Sequence, residues 1–173
     1  MSGQNKLYTI PLQKTEKSVQ ESAFVINTAF IEQYNIEEVE DADVTMHVIV
    51  KNHNYMRTAD VTMEGSVTVL CDRCLQPYEM AVKHSESFII KVDEYGELYS
   101  DDENVIIISS DDTQLDMSNL FREMIIVSLP LKKVHPTNLC DASMKKYIIS
   151  DQKVQNSNEI DSRWESLKNL FDN

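Results

Sequence analysis

The fold is decided by the stretch VTMHVIVK at residues 44–51. Val44, Met46, Val48 and Val50 alternate there with a second, mostly polar set of residues, which is a period of two. Successive side chains of a β-strand point to opposite faces of the sheet, so this period is typical of a strand with one buried face. The stretch therefore predicts a sheet that is covered on one side.

Further strands are predicted on both sides of this stretch. They are short runs rich in Val, Ile and Thr, a composition that fits a pleated, half-buried surface. The candidate strands are residues 7–10, 22–27, 56–64, 65–71, 77–83, 88–92 and 105–108. Because the intervals are short and no helical crossover separates the strands, the sequence predicts an antiparallel meander.

The period changes in the last third of the chain. Leu120, Phe121, Met124 and Ile125 follow the spacing of a helix whose apolar side is packed against a core. This pattern predicts a helix over residues 118–129.

A second, short helix is predicted near the C-terminus, where Ser162 and Glu165 have the spacing of a capping box. Residues 141–160 are polar and are expected to form a loop or a weak helix. Strands followed by helices indicate the α+β class. We predict one domain over residues 1–173, with a mainly antiparallel sheet that is curled or barrel-like, one packed core helix and a short C-terminal helix.

Composition indicates a globular, cytoplasmic protein. Hydrophobic residues make up 42% of the 173 residues, and no apolar run is long enough for a signal peptide or a membrane helix. Three cysteines are an odd number, which argues against a complete disulfide framework and favours a reducing cytoplasm.

The net charge of −13 is unevenly distributed. Residues 1–121 hold 8 basic and 22 acidic side chains, whereas residues 122–173 hold 8 and 7. Nucleic-acid affinity depends on Lys and Arg that neutralise phosphates. Any direct RNA contact is therefore expected in the C-terminal third, and the charge could equally serve solubility alone.

The motif CDRCL at residues 71–75 follows a predicted strand and has the spacing of a zinc half-site. A structural zinc site needs four ligands, and the other half offers only His135 and Cys140. The turn also lacks the glycine that is usual in zinc knuckles. Core packing of the thiols and a redox disulfide are the alternatives. We expect no cofactor, with zinc at Cys71, Cys74, His135 and Cys140 as the candidate otherwise.

The sequence does not indicate an enzyme. It contains no phosphate-binding loop, dinucleotide fingerprint or nucleophile elbow, and its histidines form no recognisable arrangement with a nucleophile.

Three segments together resemble a known family. They are GSVTVLCDRCL at residues 65–75, DMSNLFREMIIVSLPL at residues 116–131, and a tail with His135, Pro136, Cys140, Asp161, Arg163, Trp164 and Leu167. In this order they are similar to the YceD family, small bacterial and plastid proteins associated with accumulation of large-subunit ribosomal RNA. The likeness covers residues 42–170, and residues 1–41 fit loosely.

The resemblance implies a non-enzymatic role in building or stabilising the large ribosomal subunit. Some members carry a second cysteine pair that would complete a zinc site, whereas this chain has the single Cys140. We therefore expect a cytoplasmic ribosome-biogenesis factor that supports 23S rRNA accumulation by acting on that RNA, on a ribosomal protein or on an assembly factor. The alternatives are an acidic module that binds basic ribosomal proteins without RNA contact, and a thiol redox protein.

The binding surface is expected where the two cysteine segments meet. If the fold brings Cys71, Cys74 and Cys140 together, one face gathers the positive residues Arg73, Lys132, Lys133 and His135. We predict that this face binds the partner.

Overall fold

The computed structural model describes residues 6–12, 19–52, 57–93, 102, 104–136 and 139–145. A 3₁₀ turn at Lys6–Tyr8 precedes the first strand. In chain order the elements are β1 (Thr9–Pro11), β2 (Val19–Ile26), α1 (Thr28–Gln33), β3 (Asp41–Asn52), β4 (Arg57–Leu70), β5 (Pro77–Asp93), β6 (Val105–Ser109), β7 (Gln114–Asp116), α2 (Ser118–Ser128) and α3 (Ala142–Lys145).

The main sheet has five strands in the order β2-β3-β4-β5-β6, and β1 pairs with β7 in a separate two-stranded sheet. The five-stranded sheet is open, with β2 and β6 at its edges, so the expected curling or closure into a barrel does not form in the described part of the chain. The α+β class holds in its broad sense: the described chain is mainly sheet, with helices after and between the strands.

The meander is antiparallel from β2 to β5, but β6 runs parallel to β5. The sheet is therefore mainly antiparallel, as the sequence predicts, with β6 as a parallel strand at its edge. About a dozen residues lie between β5 and β6, which is the length that a parallel connection requires.

Strands β4 and β5 are longer than the sequence predicts. Four predicted strands merge into these two, which pair over their whole length from Arg57–Ile90 to Leu70–Pro77. The break predicted at Gly65 is instead a point of close approach. A Cβ atom there would lie 2.3 Å from the carbonyl oxygen of Asp43 on β3, and the φ of +156° is one that side-chain-bearing residues rarely adopt.

The buried face of the sheet packs with α1, α2 and the small sheet into one core. The alternation predicted for residues 44–51 is confirmed, since Val44, Met46, Val48 and Val50 are all buried. On α2, Phe121, Met124 and Ile125 are buried and belong to the same core cluster. Tyr8, Phe24, Phe30 and Phe121 form a group of aromatic contacts within it.

The opposite face of the sheet is polar. Asp60 accepts hydrogen bonds from Lys51 Nζ at 2.6 Å and from Ser87 Oγ at 2.7 Å. These two hydrogen bonds hold the pKa of the Asp60 carboxyl below its ordinary value. This face is the solvated side of a one-sided sheet.

Helix α2 begins and ends for local reasons. The Asp116 carboxylate accepts hydrogen bonds from the backbone N–H and the hydroxyl of Ser118, and Leu129 turns to extended backbone before Pro130. No helix of the described ranges is long and apolar enough to cross a membrane. Helix α3 occupies the start of the expected 141–160 loop, and the predicted C-terminal helix lies outside the described residues.

Candidate metal centre

The first half of the site is a turn at the end of β4. Cys71 continues the buried phase of Val67 and Val69, as the strand period indicates. The turn is closed by hydrogen bonds from Leu75 N–H to the Cys71 carbonyl at 2.8 Å and from Cys71 N–H to the Gln76 carbonyl at 3.0 Å.

Leu75 takes a backbone conformation that glycine adopts more readily than other residues. Its φ is +59°, in the left-handed region, where an L-residue costs about 1–2 kcal/mol relative to its usual conformation. The missing glycine therefore does not prevent the turn. The chain accepts local strain and forms the turn with a leucine.

The second half of the site is the segment that follows α2. Asp72 N–H donates to the Lys133 carbonyl at 2.8 Å, and Lys133 N–H donates to Asp72 Oδ2 at 2.6 Å. Arg73 Nη2 donates to the carbonyl of His135. These contacts hold the 133–135 segment against the turn, although about sixty residues of chain separate the two.

The four residues named from the sequence as candidate ligands lie together. The ligand atoms of Cys71, Cys74, His135 and Cys140 are all within 4.8 Å of one another. Their residues are 0%, 2%, 5% and 5% exposed, respectively. The strand end brings in the first two, and the segment after α2 brings in the others.

The imidazole orientation suits coordination through one nitrogen. His135 Nε2 lies 3.2 Å from Cys74 Sγ, and Nδ1 lies 3.2 Å from the Pro136 carbonyl oxygen and 3.6 Å from Cys140 Sγ. In the tautomer in which Nδ1–H donates to that carbonyl, Nε2 carries the lone pair. That nitrogen faces the thiols.

The chemistry of this donor set fits zinc. Three thiolates and one imidazole are an established structural zinc set, with Zn–S near 2.3 Å and Zn–N near 2.0–2.1 Å. A tetrahedron with those bond lengths has ligand–ligand edges of about 3.5–3.8 Å. In the present group all ligand atoms lie within 4.8 Å of one another, so the longest separations would contract by about an ångström and the 3.2 Å contact between Cys74 Sγ and His135 Nε2 would widen slightly.

The cysteines form a cluster of their own and are not part of the main core. Cys71, Cys74 and Cys140 pack with Tyr78, Val134 and Met144. The Tyr78 ring meets the His135 ring edge to face, with centroids 5.3 Å apart. The core-packing interpretation of the thiols is therefore right about their burial, and their neighbours include one another and a histidine as well as apolar side chains, so the group could also hold a metal.

The electrostatics favour a thiolate at one position before any metal arrives. Burial alone would raise the pKa of Cys71, but backbone N–H groups of Arg73, Cys74 and His135 donate to its sulfur and lower the pKa to about 6. Burial and the neighbouring Cys74 raise the pKa of Cys140. The thiolate is the form that binds metal, and these backbone donors favour it at Cys71.

All three cysteines lie in the described part of the chain and are unbonded thiols. Their burial disfavours the attack of an external thiolate on a Cys71–Cys74 disulfide, which thiol–disulfide exchange requires. The geometry thus favours a closed site over a redox one.

The four predicted binding residues occupy this corner of the molecule in different ways. His135 is buried as a candidate ligand, and Arg73 is half-buried with its guanidinium on the His135 carbonyl. Lys133 is half-buried and Lys132 is exposed.

Sequence reasoning missed several residues that shape the site. Tyr78 and Met144 pack on the cysteines, and neither had a signal beyond its apolar character. Three leucines around the site are exposed to solvent: Leu75 at 65%, Leu131 at 108% and Leu139 at 66%. Exposed leucines in the same turn and loops as the ligands add an apolar component to the predicted face.

A cavity of about 400 Å³ lies elsewhere, between the start of the chain, β2 and α1. Its lining includes Tyr8, Phe24, Asn27, Phe30 and Gln33, and it has no acid, His, Cys or Lys. Burial and the nearby Tyr34 raise the pKa of Tyr8, so that phenol stays protonated at neutral pH.

A family model described as "Large ribosomal RNA subunit accumulation protein YceD" matches residues 59–171. The match covers well over half of the chain and contains both halves of the Cys₃His group. No curated protein and no solved structure matches the chain.

Proposed function

We propose that this chain, which belongs to the YceD family of large ribosomal RNA subunit accumulation proteins, supports accumulation of 23S rRNA in the bacterial cytoplasm as a non-enzymatic factor. The observation that carries the proposal is the buried Cys₃His group inside the matched region. It joins the end of β4 to the segment after α2, and the residues of the proposed binding face lie in these two parts of the chain.

In this proposal the Cys₃His group holds a structural Zn²⁺. Cys71, Cys74, His135 and Cys140 would be its ligands, and zinc would supply cross-linking of two distant chain segments. All four ligand positions belong to the protein, which is the pattern of a closed structural site. No position is left open for a substrate, which supports a non-enzymatic role.

The binding face we propose lies over this centre. Lys132 and Lys133 supply positive charge, and Leu75, Leu131 and Leu139 supply exposed apolar surface. In the same two segments Arg73 is half-buried and contacts the carbonyl of the buried His135. Such a mixture suits a partner with both phosphate or acidic groups and apolar surface, such as rRNA with unstacked bases or an rRNA-bound protein.

The test is deletion of the gene, followed by quantification of mature 23S and 16S rRNA and of ribosomal subunits in sucrose gradients. We expect the ratio of 23S to 16S rRNA to fall and the wild-type gene to restore it. Normal rRNA and subunit ratios across growth temperatures would overturn the proposal.

A second candidate function is an acidic module that binds basic ribosomal proteins and does not touch RNA. Residues 1–121 have 14 more acidic than basic side chains, and exposed Glu21, Asp43, Glu64 and Glu79 lie along the main sheet. Oppositely charged surfaces accelerate association and select partners. Affinity capture from cells with and without RNase treatment separates the two functions: partners that survive RNase favour this module, and loss of all partners favours RNA contact.

A further inference from the structure

We propose that Asp72 and Arg73 are positioning residues of the zinc centre: they fasten the His135 segment to the Cys71–Cys74 turn and thereby set the metal affinity. This inference rests on the proposed zinc centre and assigns a role to the two residues between the cysteines. Neither side chain is a ligand.

The first contact is a two-way pairing of backbone and side chain. Asp72 N–H donates to the Lys133 carbonyl at 2.8 Å, and Asp72 Oδ2 accepts from Lys133 N–H at 2.6 Å. A single residue of the turn therefore satisfies both backbone groups of Lys133. Because Lys133 lies two positions before His135, this pairing fixes the direction from which the imidazole enters the site.

The second contact acts on the ligand residue itself. Arg73 Nη2 donates to the carbonyl of His135, and the donating guanidinium carries a full positive charge. Zinc with three thiolates and a neutral imidazole has one net negative charge. The guanidinium therefore both orients the histidine and compensates the charge of the loaded site.

The arrangement matters because the ligands come from distant parts of the chain. His135 follows Cys74 by 61 residues, and bringing such separate segments together costs conformational entropy. Contacts that hold the two segments before the metal arrives remove part of that cost from the binding step. Hydrogen bonds to ligand residues commonly change metal affinity 10–100-fold.

The placement also explains a difference between neighbouring cations. Arg73 is directed inward to a backbone carbonyl, whereas the Lys132 side chain is exposed. Lys132 therefore serves as a control of the same charge, because it lies in the His135 segment itself and its side chain is exposed to solvent.

The experiment measures Zn²⁺ affinity by competition with a chromophoric chelator on the full-length protein, for Asp72→Ala, Arg73→Ala, Arg73→Lys and Lys132→Ala. We expect a 10–100-fold weaker affinity for Arg73→Ala and a smaller loss for Asp72→Ala, which retains the backbone hydrogen bond. Arg73→Lys should recover part of the affinity because it keeps the charge, and Lys132→Ala should match the wild type.

Cobalt substitution distinguishes a weaker metal affinity from the loss of a ligand or of the folded site. With Co²⁺ in excess, the variants should show the same tetrahedral absorption bands as the wild type, because all four ligands remain. Wild-type affinity in both Asp72→Ala and Arg73→Ala would overturn the inference. A wild-type protein without bound zinc would overturn the centre itself, and the inference with it. If Arg73→Ala does not fold, Arg73→Lys decides: unchanged Zn²⁺ affinity in both Arg73→Lys and Asp72→Ala overturns the inference.

Discussion

Cys74 Sγ lies 3.2 Å from His135 Nε2, although the two residues are 61 positions apart in the chain. The contact joins the turn after β4 to the segment that follows α2. Two candidate metal ligands that are so far apart in sequence come together only when the protein is folded. Metal binding therefore depends on the fold and can be used to test it.

The first prediction is that the purified protein binds one Zn²⁺ per chain. Cys140→Ser should leave a three-ligand site, with zinc bound more weakly and lost on dialysis against a mild chelator. Elemental analysis measures the stoichiometry. Ser143→Ala is the control, because this exposed residue lies near Cys140 and contributes no ligand. Equal metal content in Cys140→Ser and the wild type would contradict the assignment of Cys140.

The second prediction concerns the strained turn. Leu75→Gly should stabilise the protein by up to about 1 kcal/mol, because glycine adopts φ of +59° without steric cost and the lost side chain is largely exposed. Chemical denaturation measures the change. Gln76→Gly is the matched control, since Gln76 has no positive φ and should be destabilised by the added chain entropy. Equal effects of the two substitutions would show that Leu75 is not strained.

The third prediction concerns the approach of β3 to β4. Gly65→Ala should destabilise the fold by about 1–3 kcal/mol or more, because its Cβ would meet the Asp43 carbonyl oxygen at 2.3 Å and the Val44 Cα at 2.7 Å. Both neighbours are backbone atoms and cannot rotate away. Thermal unfolding checks the result against Ser66→Ala, which loses one exposed hydrogen bond to Glu79. A Gly65→Ala protein as stable as Ser66→Ala would mean that the two strands can separate at no cost.

Much of this could be predicted from sequence because it follows from local periodicity and from residue types. The alternation at residues 44–51, the helix after residue 116 and the four ligand candidates are of this kind, and the match confirms the family. What could not be predicted depends on partners distant in sequence. Gly65 predicts a break between two strands unless its close approach to Asp43 is known. The positive φ of Leu75 cannot be predicted from the residue type, because leucine rarely adopts it.

The inward role of Arg73 was missed for the same reason. Between two cysteines, an arginine reads as a solvated or partner-binding side chain, and its actual acceptor is a backbone carbonyl 62 residues away. Every residue has a backbone carbonyl, so a sequence pattern cannot show which one accepts a given hydrogen bond. The direction of β6 also depends on the path of a connection whose residues have no periodic signal.

The fourth prediction concerns the helix. Met124→Asp should unfold the domain or lower its stability by about 3 kcal/mol or more, because Met124 is 1% exposed and an unpaired carboxylate would be buried there. Val127→Asp is the matched control on the same helix, where the side chain is 65% exposed. Circular dichroism during thermal unfolding distinguishes them. A Met124→Asp transition like that of the control would remove α2 from the core.

The last prediction separates the proposed binding face from the centre beneath it. Lys132→Ser with Lys133→Ser removes two positive charges without removing a ligand, and the hydrogen bonds of Lys133 to Asp72 use its backbone and are retained. We expect this double variant to keep zinc and its melting temperature but to restore 23S rRNA only partly in a deletion strain. Adding Arg73→Ser should also weaken zinc binding, because the contact with the His135 carbonyl is lost. Quantification of rRNA in these strains measures the loss of function, and the metal content of the purified variants measures the loss of zinc. Full rescue by the double variant would place the functional face elsewhere and leave the Cys₃His group with a purely structural role.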